Sequence, residues 1–187
     1  QETVKTLIIN GSPRPHGDTA GLIGLVKGRL MGESMVLDAY RADISPCIDC
    51  RYCWENLGCA IADGMQAVYG YIRDCQNILI ASPIYFSELT GRLLDVGSRL
   101  QPYFCARAFR GEGPLPGPKK GAVILVGGGD GNMEKAYDTA CTLLRHMGCG
   151  EIYPAVTSHN TNERPAVMDA LAVEGAGSIA DFFNNAG

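Results

Sequence analysis

The stretch VKTLIINGSPRPHGDT, Val4 to Thr19, decides how the rest of the chain reads. Val4–Asn10 is a short apolar run that stops at Gly-Ser-Pro, as a buried strand does. It is followed at once by Thr19–Met31, where Leu22, Ile23, Leu25, Val26 and Leu30 recur at helical spacing. A strand that passes through a glycine-containing turn into an amphipathic helix is the opening unit of a parallel sheet.

The same alternation continues to the other end. Strands are expected at Met35–Ala39, Asn77–Ala81, Ala122–Val126 and Ile152–Val156. Helices are expected at Asp63–Cys75, Leu89–Phe104, Asn132–Met147 and Ala166–Phe183, with Asn132 as an N-cap. Five strand–helix units predict an α/β fold: a flavodoxin-like, doubly wound, five-stranded parallel sheet of order 2-1-3-4-5 in three α/β/α layers. Pro154 inside the fifth strand places that strand at an edge. Residues 1–187 read as one such domain carrying a cysteine-rich insertion at 41–62, and 105–120 reads as a loop.

Composition narrows the function. Lys plus Arg number 16 and Asp plus Glu 20 in 187 residues, a net charge of −4 that argues against a nucleic-acid or anionic-membrane partner. No apolar run approaches the roughly 20 residues of a membrane span. Gln1–Lys5 shows no basic-then-apolar leader, so the chain reads as cytoplasmic.

The loop after the first strand ends at a helix N-terminus, where free N–H groups and the helix dipole favour a phosphate. Ser12 and Thr19 add hydroxyls there, and Arg14 adds a charged donor; Pro13, His16 and Asp18 complete the loop. It lacks both the G-x-G-x-x-G of a dinucleotide site and the G-K-[ST] of a Walker loop. A hydroxyl-rich loop suits the terminal phosphate of a mononucleotide such as FMN. After the third strand, Ser82-Pro83-Ile84-Tyr85-Phe86-Ser87 puts two aromatics at the same sheet edge, where they can stack on an isoalloxazine ring or simply cover the sheet end. After the fourth, Gly127, Gly128 and Gly129 allow close backbone approach to a ligand. Ser158–Asn162, after the fifth, reads first as an ordinary polar loop, with closure over a bound ligand or contact with a neighbouring subunit as the alternatives.

Eight cysteines is an unusual count, and four of them, Cys47, Cys50, Cys53 and Cys59, fall within 13 residues as C-x2-C-x2-C-x5-C. Thiolates at this spacing can converge on one metal or cluster. The continuous run favours a [4Fe–4S] cluster over zinc, with free or redox-active thiols as the remaining reading. Only Arg41 and Arg51 lie nearby in sequence to activate a lone nucleophile. Cys75, Cys105, Cys141 and Cys149 read as core or helix-end residues.

Together, GSPRPHGDT at 11–19, ASPIYF at 81–86, VGGGDGNMEKAYDTA at 126–140 and the cysteine run resemble the NADPH-dependent FMN reductases, and within them the iron–sulfur flavoproteins. The resemblance implies FMN at the carboxyl edge of the sheet and a homodimer or homotetramer. It implies Ser12, Arg14, Asp18 and Thr19 around the phosphate, Pro83 to Ser87 beside the isoalloxazine, and the four cysteines as cluster ligands. Asp18 stands where many relatives carry Asn, so backbone N–H groups would bind the phosphate there. The implied function is electron transfer from NAD(P)H through FMN to a small-molecule or protein acceptor, with any cluster as a one-electron relay. The flavin would supply the chemistry, so no side-chain nucleophile or base triad is expected. The alternatives are an electron carrier reduced by a ferredoxin-like protein, and a non-redox domain whose cysteines hold zinc.

Overall fold

The computed structural model describes residues 3–185. Strands β1 (Lys5–Asn10), β2 (Glu33–Asp38), β3 (Asn77–Pro83), β4 (Lys119–Val126), β5 (Cys149–Ile152) and β6 (Val156–Ser158) form one parallel sheet. Its order is β2-β1-β3-β4-β5, with β6 also on β4, so the expected flavodoxin-like order holds. The predicted fifth strand is split in two. Pro154 has no N–H to donate, the chain leaves the ladder at Tyr153–Ala155, and it rejoins β4 at Val156.

Strand alternation divides the core between two faces. Ile78 and Ile80 of β3 point into a cluster with Leu93, Val96 and Leu144, while Leu79 and Ala81 face Leu22, Val26 and Ile179. Helices α1 (Asp18–Arg29) and α7 (Ala170–Asn184) cover the second face. Helices α3 (Met65–Asp74), α4 (Gly91–Ser98) and α6 (Glu134–His146) cover the first. No helix among the described residues is long and apolar enough to cross a membrane.

Several helix ends differ from expectation for local reasons. The single helix expected over Leu89–Phe104 is two, α4 and α5 (Gln101–Phe109). Pro102 cannot donate to the carbonyl a turn back, and the chain tightens so that Arg99 and Leu100 bond to Val96 and Gly97. Asn132 does not cap α6 as a helix N-cap but turns one residue earlier, its Oδ1 accepting from the Glu134 N–H at 2.7 Å. The last helix begins after a 3-10 turn at Ala166–Met168, with Asp169 as its cap. The loop at 105–120 is shorter than expected because α5 runs to Phe109 and β4 starts at Lys119.

The register fixes what lies where. Asn10 pairs with Asp38 and Ala81, Pro83 with Val126, and Val126 with Ser158. The loops after β1, β2, β3, β4 and β6 therefore leave one edge nearly flush.

The segment after β2 folds back as a lobe with its own short helix, α2 (Tyr52–Glu55). A buried ion pair closes it. The Arg99 and Asp63 side chains are 1 % and 7 % exposed, and the Arg99 fork grips both carboxylate oxygens at 2.6 and 3.1 Å. The same carboxylate accepts from the Ser45 and Met65 N–H groups at 3.0 Å each. Burial pushes the Asp63 carboxyl up, but the guanidinium and these N–H donors outweigh it and hold it below the usual range.

Two outcomes follow for stability. Gly32 sits at φ +84°, and a Cβ there would lie 2.2 Å from the Val4 carbonyl oxygen, so Gly32→Ala should cost at least about 2 kcal/mol in urea unfolding. Asp63→Asn leaves Arg99 buried without a counter-charge and should cost about 3–5 kcal/mol near neutral pH. Because the carboxyl is depressed on folding, the pair's contribution is present above about pH 4 and fades as pH falls through the lowered folded value. Urea midpoints measured against pH should show that acid limb in the parent chain and its loss in Asp63→Asn.

Candidate functional site

Two groups of sequence-marked residues are assembled by the fold, one at each end of α4. The first is the flush strand edge. Gly11 carries the chain off β1, and a Cβ on it would lie 2.8 Å from Ser82 Oγ. Its N–H donates to the Ala81 carbonyl, and its own carbonyl accepts from Thr90 Oγ1 at 2.7 Å. Ser12 is buried, with its hydroxyl accepting from the Arg14 N–H at 3.2 Å. Helix α1 begins after Gly17 with no side-chain cap, so its first-turn N–H groups are free to meet an anion beside Ser12 and the buried Thr19.

The other loop residues have partners of their own. The Pro13 carbonyl accepts from Arg41 Nη2 at 3.1 Å. Arg14 is mostly exposed and pairs with Asp18 at 3.1 Å. Asp18 turns its other oxygen to the Ala166 N–H at 2.8 Å, tying α1 to the chain before α7. His16 is exposed.

Across the edge, Pro83 is the last residue of β3, and the Ile84 N–H donates to the Val126 carbonyl. Tyr85 and Glu88 then exchange backbone hydrogen bonds at 2.9 and 3.1 Å around a two-residue turn. Phe86 and Ser87 take φ +52° and +62°, as a type I′ turn requires, and Phe86 is fully exposed. The triple glycine is braced rather than loose. Asn160, Thr161 and Asn162 donate backbone N–H groups to the carbonyls of Gly129, Gly127 and Gly128 at 2.8, 3.1 and 3.2 Å. The polar segment after the last strand is thus part of the site wall. Its His159 keeps a buried Nδ1 without a partner, 3.9 Å from where a Gly127 Cβ would sit. The segment's place after a strand end was its only sequence signal.

The second group is the thiol lobe. Cys47, Cys50, Cys53 and Cys59 line one cavity, joined by Arg99 and a fifth thiol, Cys105. Cys105 Sγ lies 3.6 Å from Cys53 Sγ, so it belongs to this site and not simply to the core. Burial, then the Cys105 thiol, pushes Cys53 up to about 11. Two arginines distant in sequence reach the lobe. Arg99 joins the wall, and Arg110 donates to the Cys53 carbonyl. Neither is near the run in sequence, which is why reading the run alone finds only Arg41 and Arg51. Trp54 stacks on Phe109 with centroids 4.5 Å apart, and Arg51 lies 4.8 Å over the indole. Among the described residues, no three Cys, His, Asp or Glu side chains are grouped to hold a single metal ion.

One helix relates the two groups. Thr90, just before α4, bonds the Gly11 carbonyl, and Ser98 at its end accepts from the Cys47 N–H at 2.9 Å. Its 8 residues span about 12 Å.

Residues 4–163 match the family model for NADPH-dependent FMN reductase. An iron–sulfur flavoprotein of Methanocaldococcus jannaschii is 28% identical over 102 residues, 53% of this chain and 53% of that protein. The chain thus spans about half the length of that relative. A second from the same organism is 30% identical over 143 residues, 73% of this chain and 68% of its own length. Among solved structures, an FMN-dependent NADH-azoreductase of Bacillus anthracis in complex with FMN superposes with a TM-score of 0.64. It is 18% identical, covering 97% of this chain and 100% of that one, a likeness of fold. The matched span takes in the loop after β1, the aromatic turn, the glycine loop and the thiol lobe, and on it the chain belongs to the NADPH-dependent FMN reductase family.

Proposed function

We propose that this protein is an FMN-dependent oxidoreductase that takes electrons from NAD(P)H and passes them to an acceptor, with the thiol lobe holding a [4Fe–4S] relay. The observation that carries the flavin reading is the single edge at which an uncapped helix N-terminus, an exposed aromatic turn and a braced glycine loop lie together. An unpartnered buried His159 Nδ1 beside that loop fits a ligand with polar edges. The chemistry FMN supplies when bound is hydride acceptance from a nicotinamide and delivery of one or two electrons onward.

The chain's own part is binding and orientation. The first-turn N–H groups of α1, with Ser12 and Thr19, hold the phosphate at the positive end of the helix dipole. Pro83 to Ser87 would border the ring, and the Gly128–Gly129 backbone would lie close enough to offer it hydrogen bonds. Arg14, mostly exposed and paired with Asp18, would add a charged donor to the phosphate. The fully exposed Phe86 supports a homodimer or homotetramer in which a second copy covers this turn.

The donor set of the lobe supports the cluster. Four thiols and a buried guanidinium with an orphaned N–H surround one cavity, as an anionic thiolate-held group requires. The continuous spacing of the four cysteines suits a multi-iron group better than a single zinc ion. Cys47, Cys50, Cys53 and Cys59 would be its ligands, with one-electron transfer as the chemistry it supplies.

Mixing flavin-loaded protein with NADPH in a stopped-flow instrument should bleach the flavin absorbance faster than about 1 per second. Bleaching by reduced ferredoxin but not by NADPH would replace the reductase with an electron carrier. Asp18→Asn keeps an oxygen for the Ala166 N–H, removes an anion beside the phosphate and releases Arg14. It should tighten FMN binding about fivefold, a change of roughly 1 kcal/mol, by fluorescence titration.

A further inference from the structure

Arg99 is the largest fully buried side chain among the described residues, and its hydrogen bonds are unevenly distributed. A guanidinium has five N–H donors. Nη1 gives its two to the Ser45 carbonyl at 2.9 Å and Asp63 Oδ2 at 2.6 Å. Nη2 gives its two to Asp63 Oδ1 at 3.1 Å and the Ile61 carbonyl at 3.5 Å. Nε, the fifth, is buried with no partner. Leaving a charged donor unsatisfied in the interior is costly, and a residue so fully engaged elsewhere marks a missing acceptor.

The surroundings say what that acceptor is. Arg99 forms part of the wall of the cavity lined by Cys47, Cys50, Cys53, Cys59 and Cys105. Neutral thiols accept hydrogen bonds weakly, whereas thiolates and cluster sulfides are anionic and accept well. The Asp63 carboxylate already balances the guanidinium charge, so Arg99 brings a fixed donor and a local dipole rather than a net charge. Asp63, Ser45 and Ile61 hold it so that its side chain cannot turn away.

We infer that Arg99 is a positioning and tuning residue of the sulfur site, donating Nε–H to a sulfur of the thiolate-held cluster and raising its reduction potential. This rests on the cluster reading above. A donor to sulfur stabilises the reduced, more negative state, so its loss lowers the potential.

The test compares the full chain with the double variant Arg99→Met, Asp63→Asn, both loaded with FMN and reconstituted without oxygen with iron and sulfide. Removing both charges together avoids stranding either one and leaves the net charge near the cluster unchanged, so a shift in potential reports the donor. Equal iron and sulfide contents are expected. At a fixed poise the reduced-to-oxidised ratio of the variant's cluster should fall about tenfold, or 59 mV for one electron. A change of less than threefold overturns the assignment. A variant with unchanged circular dichroism and FMN affinity but no iron uptake calls for Arg99→Lys, which keeps a cationic N–H donor. Restored uptake supports the assignment, and none overturns it. If the parent chain itself takes up no iron and sulfide, the cluster reading fails and the inference falls with it, a result seen in the parent rather than the variant.

Discussion

In a parallel sheet covered on both faces, every connection must cross a helix layer and return, so all strands end at the same side. Here the ends are also in register. Asn10, Asp38 and Ala81 lie side by side, and Val126 pairs with both Pro83 and Ser158. Segments far apart in sequence are thereby delivered to one line. The loop after β1, the aromatic turn, the glycine loop and the start of the thiol lobe owe their proximity to this constraint and to no direct contact encoded within any of them.

The second organising element is α4. It bonds the loop after β1 at one end through Thr90 and the thiol lobe at the other through Ser98, with Arg99 immediately beyond. Its apolar face, through Leu93 and Val96, is buried in the sheet core, so neither end can move without disturbing packing. A short rigid helix anchored at both ends holds two groups of chemically distinct residues at a fixed separation.

The lobe solves a different problem. It leaves much of its apolar surface unburied, with Ile48, Tyr52 and Leu57 exposed. It is held instead by polar contacts: the Arg99–Asp63 fork, the Gln66 side chain bonded to the carbonyls of Cys59 and Ile61, and Arg110 on the Cys53 carbonyl. Directional bonds of this kind fix loop geometry where hydrophobic packing would only collapse it. The positive φ angles of Asp49 and Arg51 belong to the same tight path around the cavity.

Much of this was legible in the chain. The alternation of apolar strands and amphipathic helices pointed to a doubly wound parallel sheet, because periodicity is a local property of burial, and five such units suit the order 2-1-3-4-5 found here. The position of Pro154 at an edge, and the loops that follow strands one, three and four, could be read in the same way. The cysteine spacing marked the lobe. What tertiary structure alone decided were the partners. Cys105 beside Cys53, Arg99 locked onto Asp63, and the 160–162 backbone bracing three glycines all join residues more than 30 positions apart. Spacing along a chain reports which residues share a face. It carries no information about which distant element packs there, since that depends on crossover paths and on the whole core being satisfied at once.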